Sequence, residues 1–175
     1  MKGHLLQTII LLTSLLLPSC KRSWVDVTID ERIQMSFPGQ PILTETKEAS
    51  EFGSYTKKAY FYKPTDILDE NEGYQFASTE LPPKYNLTLQ QVFDDFTNQE
   101  VILLGGKLIS KNNTVFKGVP ACETLIDIRN GEFRIKTLLF ISQRTVYNIG
   151  VITEKSKLFN TDVNKFINSF KYYPN

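Results

Sequence analysis

Between residues 114 and 153 apolar side chains recur at every second position in three runs parted by short turn signals, a pattern that an antiparallel sheet satisfies. Ala121–Arg129 places Cys122, Thr124, Ile126 and Ile128 on one face. Asn130-Gly131 follows, the pairing that favours a two-residue type I′ hairpin because both positions tolerate positive φ. The return strand lines Phe133, Ile135, Thr137, Leu139 and Ile141 along one face, and after Ser142-Gln143-Arg144 a third strand, Val146–Thr153, is rich in β-branched residues. Leu138, Phe140, Val146 and Ile152 fall on the opposite faces of these last two strands, so the sheet is expected to be covered on both sides.

The rest of the chain supplies shorter elements. Trp24–Ile29 and Arg32–Phe37 alternate, and Pro38-Gly39-Gln40-Pro41 ends the second run by removing ladder donors and permitting a turn. Residues 42–52 are polar and read as a loop leading into a strand at Tyr55–Tyr62. An acidic turn and Gly73 precede a strand at Tyr74–Thr79. Thr88–Gln99 reads as a helix with Leu89, Val92, Phe93 and Phe96 in one stripe, and Thr88 with Gln91 resembles a capping box. Gly105-Gly106 reads as a helix C-terminal break before a strand at Lys107–Ser110. A closing helix, Asp162–Phe170, presents Val163, Phe166, Ile167 and Phe170. These elements predict one α+β domain over residues 24–175, a central antiparallel sheet with helices packed against it.

The N-terminus has a different character. Lys2 precedes a mostly apolar run, Leu5–Leu17, which is too short to span a bilayer and has the size of a signal-peptide core. It ends at Leu17-Pro18-Ser19-Cys20, which resembles a bacterial lipobox. The resemblance implies that residues 1–19 are removed, that Cys20 becomes the lipidated first residue, and that residues 20–23 are a short tether. Loss of Lys2 leaves equal numbers of acidic and basic residues, without the basic stripe that nucleic-acid binding requires. The one histidine is His4, inside the removed segment, so the mature domain has no imidazole for general-base or metal work. Cys122 is then the one free thiol, insufficient for a structural zinc site or an intramolecular disulfide.

Several candidates for chemistry stand against simpler readings. Asp66, Asp69, Glu70 and Glu72 offer oxygen ligands for a metal, though their spacing lacks the alternation and midpoint glycine of an EF-hand loop, and a solvated turn accounts for them. Asp94-Asp95 falls mostly on the wet side of the predicted helix. The Ser110-Lys111 and Ser156-Lys157 pairs are adjacent residues, which point apart on a strand. Cys122 belongs to an apolar face and reads as a buried thiol. Tyr55, Tyr60, Tyr62, Tyr74 and Tyr85 fit either an aromatic binding patch or cross-strand packing. Asn86-Leu87-Thr88 and Asn112-Asn113-Thr114 match the glycosylation sequon but read as the approach to a helix and a turn.

Phe37–Pro41, Gly105-Gly106, Gly118-Val119-Pro120 and Thr161–Phe170 together resemble the PsbP-like fold over nearly all of residues 24–172. The resemblance implies an α/β/α sandwich. Its named members, extrinsic photosystem subunits and a Ran-binding nuclear-transport factor, share no chemistry, so it implies no site residue. The expectation is a non-catalytic binding or accessory module without cofactor, held on the cell envelope through Cys20 and meeting an envelope protein or small ligand. An envelope hydrolase working through carboxylates and lysines is the alternative. Lys21 after the cysteine does not resemble an inner-membrane retention signal, and no acidic export residues follow it; both point to the outer membrane, facing the periplasm.

Overall fold

A computed structural model of the chain describes residues 23–50, 53–66 and 69–173. The signal segment, Cys20 and most of the tether lie outside them. The strands are β1 (Val25–Asp30), β2 (Ile33–Phe37), β3 (Ile42–Ser50), β4 (Gly53–Tyr62), β5 (Asn71–Glu80), β6 (Lys107–Phe116), β7 (Val119–Ile128), β8 (Phe133–Ser142), β9 (Thr145–Glu154) and β10 (Lys171–Tyr172). The helices are α1 (Leu89–Leu104) and α2 (Thr161–Asn168). A seven-stranded antiparallel sheet runs in the order β3-β4-β5-β9-β8-β7-β6, and a three-stranded sheet in the order β1-β2-β10.

The β9-β8-β7 part of the large sheet is covered on both faces, as its two-sided apolar pattern requires, but by different things. One face packs Tyr74, Phe76, Leu138, Phe140, Tyr147, Ile149 and Val151 against the small sheet (Ile29, Ile33, Met35, Phe37) and α2 (Val163, Phe166), with Phe170 just beyond. Edge-to-face contacts knit this core: Phe37 to Phe166 at 5.0 Å and Tyr74 to Phe166 at 5.1 Å between ring centroids. On the other face α1 lays Val92 and Phe93 on Cys122, Leu139 and Val146, and Val101 and Leu104 on Ile126, Ile128 and Ile135. The expected sandwich of helices about a sheet is thus corrected. A sheet-dominated molecule has one helix on one side and a second sheet with a short helix on the other.

Local chemistry explains the boundaries. Thr88 Oγ1 accepts from Gln91 N (3.3 Å) and Gln91 Oε1 accepts from Thr88 N (2.9 Å), so the capping box forms. The helix runs past Gln99 to the double glycine. Gly105 takes a left-handed φ of 56°; its N–H donates to Ile102 O, and that of Gly106 to Val101 O (2.9 Å), a Schellman closure. Residues 42–50 form strand β3 rather than the expected loop, paired with β4 from Ile42↔Phe61 to Ser50↔Gly53. β6 likewise extends to Phe116, which puts Asn112–Thr114 in a strand rather than a turn. The two-residue left-handed turn is Lys117-Gly118 (φ 50° and 85°), between the paired Phe116 and Val119. At Asn130-Gly131 the link spans four residues, Arg129–Glu132, because β7 and β8 end their ladder at Ile128↔Phe133.

Candidate functional site

Register places four residues in one row across the α1 side of the large sheet. Thr124 of β7 faces Thr137 of β8, Thr137 faces Gly150 of β9, and Gly150 faces Gln75 of β5. The two threonine hydroxyls hydrogen-bond to each other. Gly150 leaves room for the Gln75 side chain; a Cβ there would stand 2.7 Å from Gln75 Nε2. Gln75 therefore lies across β9 and reaches Glu100 of α1, donating from Nε2 to Oε1 (3.1 Å). Asn148 Nδ2 donates to the same oxygen (3.3 Å). This polar seam separates the two apolar clusters beneath α1.

Glu100 is buried, and its Oε2 has no hydrogen-bond partner; neither have the buried Thr97 Oγ1 and Asn148 Oδ1. Burial pushes the Glu100 proton affinity above the ordinary carboxylate range, and the donors Asn148, Gln75 and Thr137 and the field of Lys57 only partly offset it. The Glu100 Oε2 is closed to solvent, so the carboxyl is in no position to exchange a proton with a substrate.

Beside the seam the sheet is open. α1 packs on β7, β8 and β9, and residues 80–83 flank the 53–56 end of β4, while toward Ile42 and Phe61 the same side of β3 and β4 stays exposed. Alternation assigns Ile42, Lys57, Ala59, Phe61, Gln75 and Ala77 to this face. Phe61 lies flat over Gly73, where a Cβ would meet its ring at 2.9 Å, and is still 38% exposed; Ile42 is 73% exposed. On α1, Leu103 is also 77% exposed.

The other candidates resolve separately. Asp69 Oδ1 accepts from Asn71 N (2.9 Å) and Tyr74 Oη (3.0 Å), and opens β5. Asn71 and Asn160 exchange side-chain hydrogen bonds, and Asn160 Oδ1 caps α2 by accepting from Val163 N (3.0 Å). Asp66, Glu70 and Glu72 are exposed, and among the described residues no three Asp, Glu, His or Cys side chains are grouped to hold a metal. Asp94 pairs with Lys111 of β6, and Asp95 accepts from Tyr85 Oη (3.2 Å). Cys122 is a buried free thiol whose pKa burial raises. Tyr60 and Tyr74 are core residues while Tyr55 bonds Glu48, so the tyrosines form no single patch. Trp24 is engaged by Tyr74 edge-on at 6.1 Å and by Lys165 Nζ at 4.0 Å over its ring. Glu132 and Glu154 share a wide surface recess with Lys155 and Ser156, but the recess is open and Glu154 pairs with Lys157 (3.4 Å).

Sequence reasoning missed Glu100. The signal was present: position 100 continues the stripe of Phe93 and Phe96 at i+7 and i+4, so a helix reaching Gly105 must bury its carboxyl.

No protein-family model matches the chain, and no curated protein does. Solved structures do. Cyanobacterial PsbP (CyanoP) from Synechocystis sp. PCC 6803 superposes over 89% of this chain and 96% of its own, with a TM-score of 0.57 and 13% identity. The Pseudomonas aeruginosa protein PA94, of unknown function, matches over 77% of this chain and 85% of its own, with a TM-score of 0.42 and 13% identity. The fold is therefore PsbP-like. At this identity the likeness to CyanoP concerns the fold alone, and that to PA94 carries no argument.

Proposed function

We propose that the protein is a lipid-anchored module of the bacterial cell envelope, held through Cys20 on the periplasmic side of the outer membrane, that binds a partner rather than transforming a substrate. The observation that carries the binding reading is the open α1 side of β3 and β4, where Ile42 and Phe61 remain exposed beside a half-covered sheet floor. Exposed apolar side chains gathered on one face mark interaction surfaces more often than chance scatter does. Two facts favour binding over hydrolysis: the mature chain has no histidine, and the carboxyl whose proton affinity burial raises, Glu100, is sealed.

The geometry of attachment agrees with this reading. Lys21, Arg22 and Ser23 span on the order of 10 Å when extended, so the anchor keeps the start of β1 close to the bilayer. β1 belongs to the small sheet, across the large sheet from α1. The open face then looks away from the layer that carries the lipid. Trp24 packs within the fold against Tyr74 and Lys165.

The test uses the anchored protein in its own envelopes, with a photo-crosslinking phenylalanine derivative at Phe61 and, as a control, at exposed Glu31 on the far side. A discrete adduct from position 61 that is absent from position 31, and absent from the Cys20→Ala form, is expected. Equal adducts from both positions, or a Cys20→Ala form that still takes up lipid, would contradict the reading.

A further inference from the structure

The three long sheet edges are not alike. β6 is interrupted by a register shift between Leu108 and Ser110, and its charges, Lys107 and Lys111, are all positive. β1 has a shift between Thr28 and Asp30, and its charges, Asp26 and Asp30, are all negative. Bulges and charged side chains are devices by which an edge avoids pairing with another chain, and charges of one sign repel a second copy of the same strand. β3 has no bulge, and its charges, Glu45, Lys47 and Glu48, are of both signs. Its ladder with β4 is unbroken from Ile42 to Ser50, no proline lies within it, and Ile42–Ala49 are exposed along their whole length. Alternate residues of β3 point amide and carbonyl groups away from β4, a row that nothing among the described residues occupies.

The charges on β3 are also self-complementary. When two copies run antiparallel with Thr46 on the two-fold axis, Glu45 of each faces Lys47 of the other, and Leu43 faces Ala49. The neighbouring registers, centred on residue 45 or 47, set Glu45 against Glu45 or Lys47 against Lys47. One register attracts and the adjacent ones repel. Glu45 already leans toward Lys58 on β4 (3.9 Å), so in the paired form it would lie between two cations.

We infer that β3 is a homodimerisation edge: two copies of the chain join β3 to β3 in the register centred on Thr46, making one continuous antiparallel sheet. The interface is isologous and closes as a two-fold dimer, so it does not propagate. Main-chain hydrogen bonds supply the association, and the Glu45–Lys47 pairs set the register, since exposed ion pairs contribute little affinity by themselves. The open faces of the two copies would become one continuous floor. This inference is independent of whether that floor binds a partner.

Light scattering on the mature, lipid-bearing chain in detergent, across a dilution series, is the test. The wild type is expected to form dimers. Glu45→Lys or Lys47→Glu alone places like charges opposite each other twice and should weaken the dimer about tenfold or more. The double variant Glu45→Lys/Lys47→Glu reverses both signs and should restore it. With a thiol oxidant, Thr46→Cys should trap a disulfide dimer readily, and Thr44→Cys, displaced from its own copy, should not. The thiols of Cys122 and lipid-bearing Cys20 do not interfere, the first being buried. A wild type that is monomeric at every concentration, a double variant that stays as weak as the singles, or equal trapping at positions 44 and 46 would overturn the proposal.

Discussion

Glu100 shows how one buried group governs the chemistry available beneath α1. Its proton affinity in the folded chain stands above that of the unfolded chain because burial penalises the charge. The sign follows from linkage. Glu100 favours the folded state most below the ordinary glutamate range, and that contribution is lost as pH rises through the folded value. Lys57 is the charged group whose field reaches it from the sheet, and it softens the loss without reversing it. Glu100→Gln keeps the shape of the neutral acid and cannot ionise. Urea unfolding at pH 5 and pH 8 should therefore show the wild type losing more stability than the variant as pH rises. Parallel losses in the two proteins would show that Glu100 is charged throughout. The residues around it were only partly legible beforehand: Thr124 and Thr137 stood out as polar members of apolar faces, whereas Gln75 matters because Gly150 makes room for it, and that depends on which strands are neighbours.

Among the elements, what the sequence reveals is burial rather than backbone conformation. The strands of the central hairpins were legible because each has a buried face. β3 was not, since an edge strand exposed on both faces has no apolar alternation to read, and its polar residues resemble a loop. The same reason hides the outer half of β6. The helix end tells a different story. Gly105-Gly106 marked the stop of α1 correctly, yet the last exposed turn, with Ile102 and Leu103 pointing outward, disguised its length. The two glycines do different work, and this can be measured. Gly105 needs a left-handed backbone and has open space around it, so Gly105→Ala should cost about 1 kcal/mol. At Gly106 a Cβ would sit 2.6 Å from Ile126 Cγ2 and 2.8 Å from the Asp127 carbonyl oxygen. Gly106→Ala should therefore destabilise more than Gly105→Ala in chemical denaturation; the reverse order would mean that α1 meets β7 differently.

At the scale of the whole molecule the PsbP-like fold divides labour between the two faces of one sheet. The side shared with the small sheet and α2 holds the larger aromatic core. The other side is half roofed by a single helix and ends in an open floor. We propose that a partner covers this floor in the envelope. An Ala77→Cys variant measures it directly, because Ala77 belongs to the open floor and Cys122 is buried. In the purified protein the new thiol should react readily with a maleimide, as should a Glu31→Cys control. In intact envelopes the account predicts that the thiol at position 77 becomes protected severalfold relative to that at position 31. Equal labelling of both positions in the envelope would contradict it.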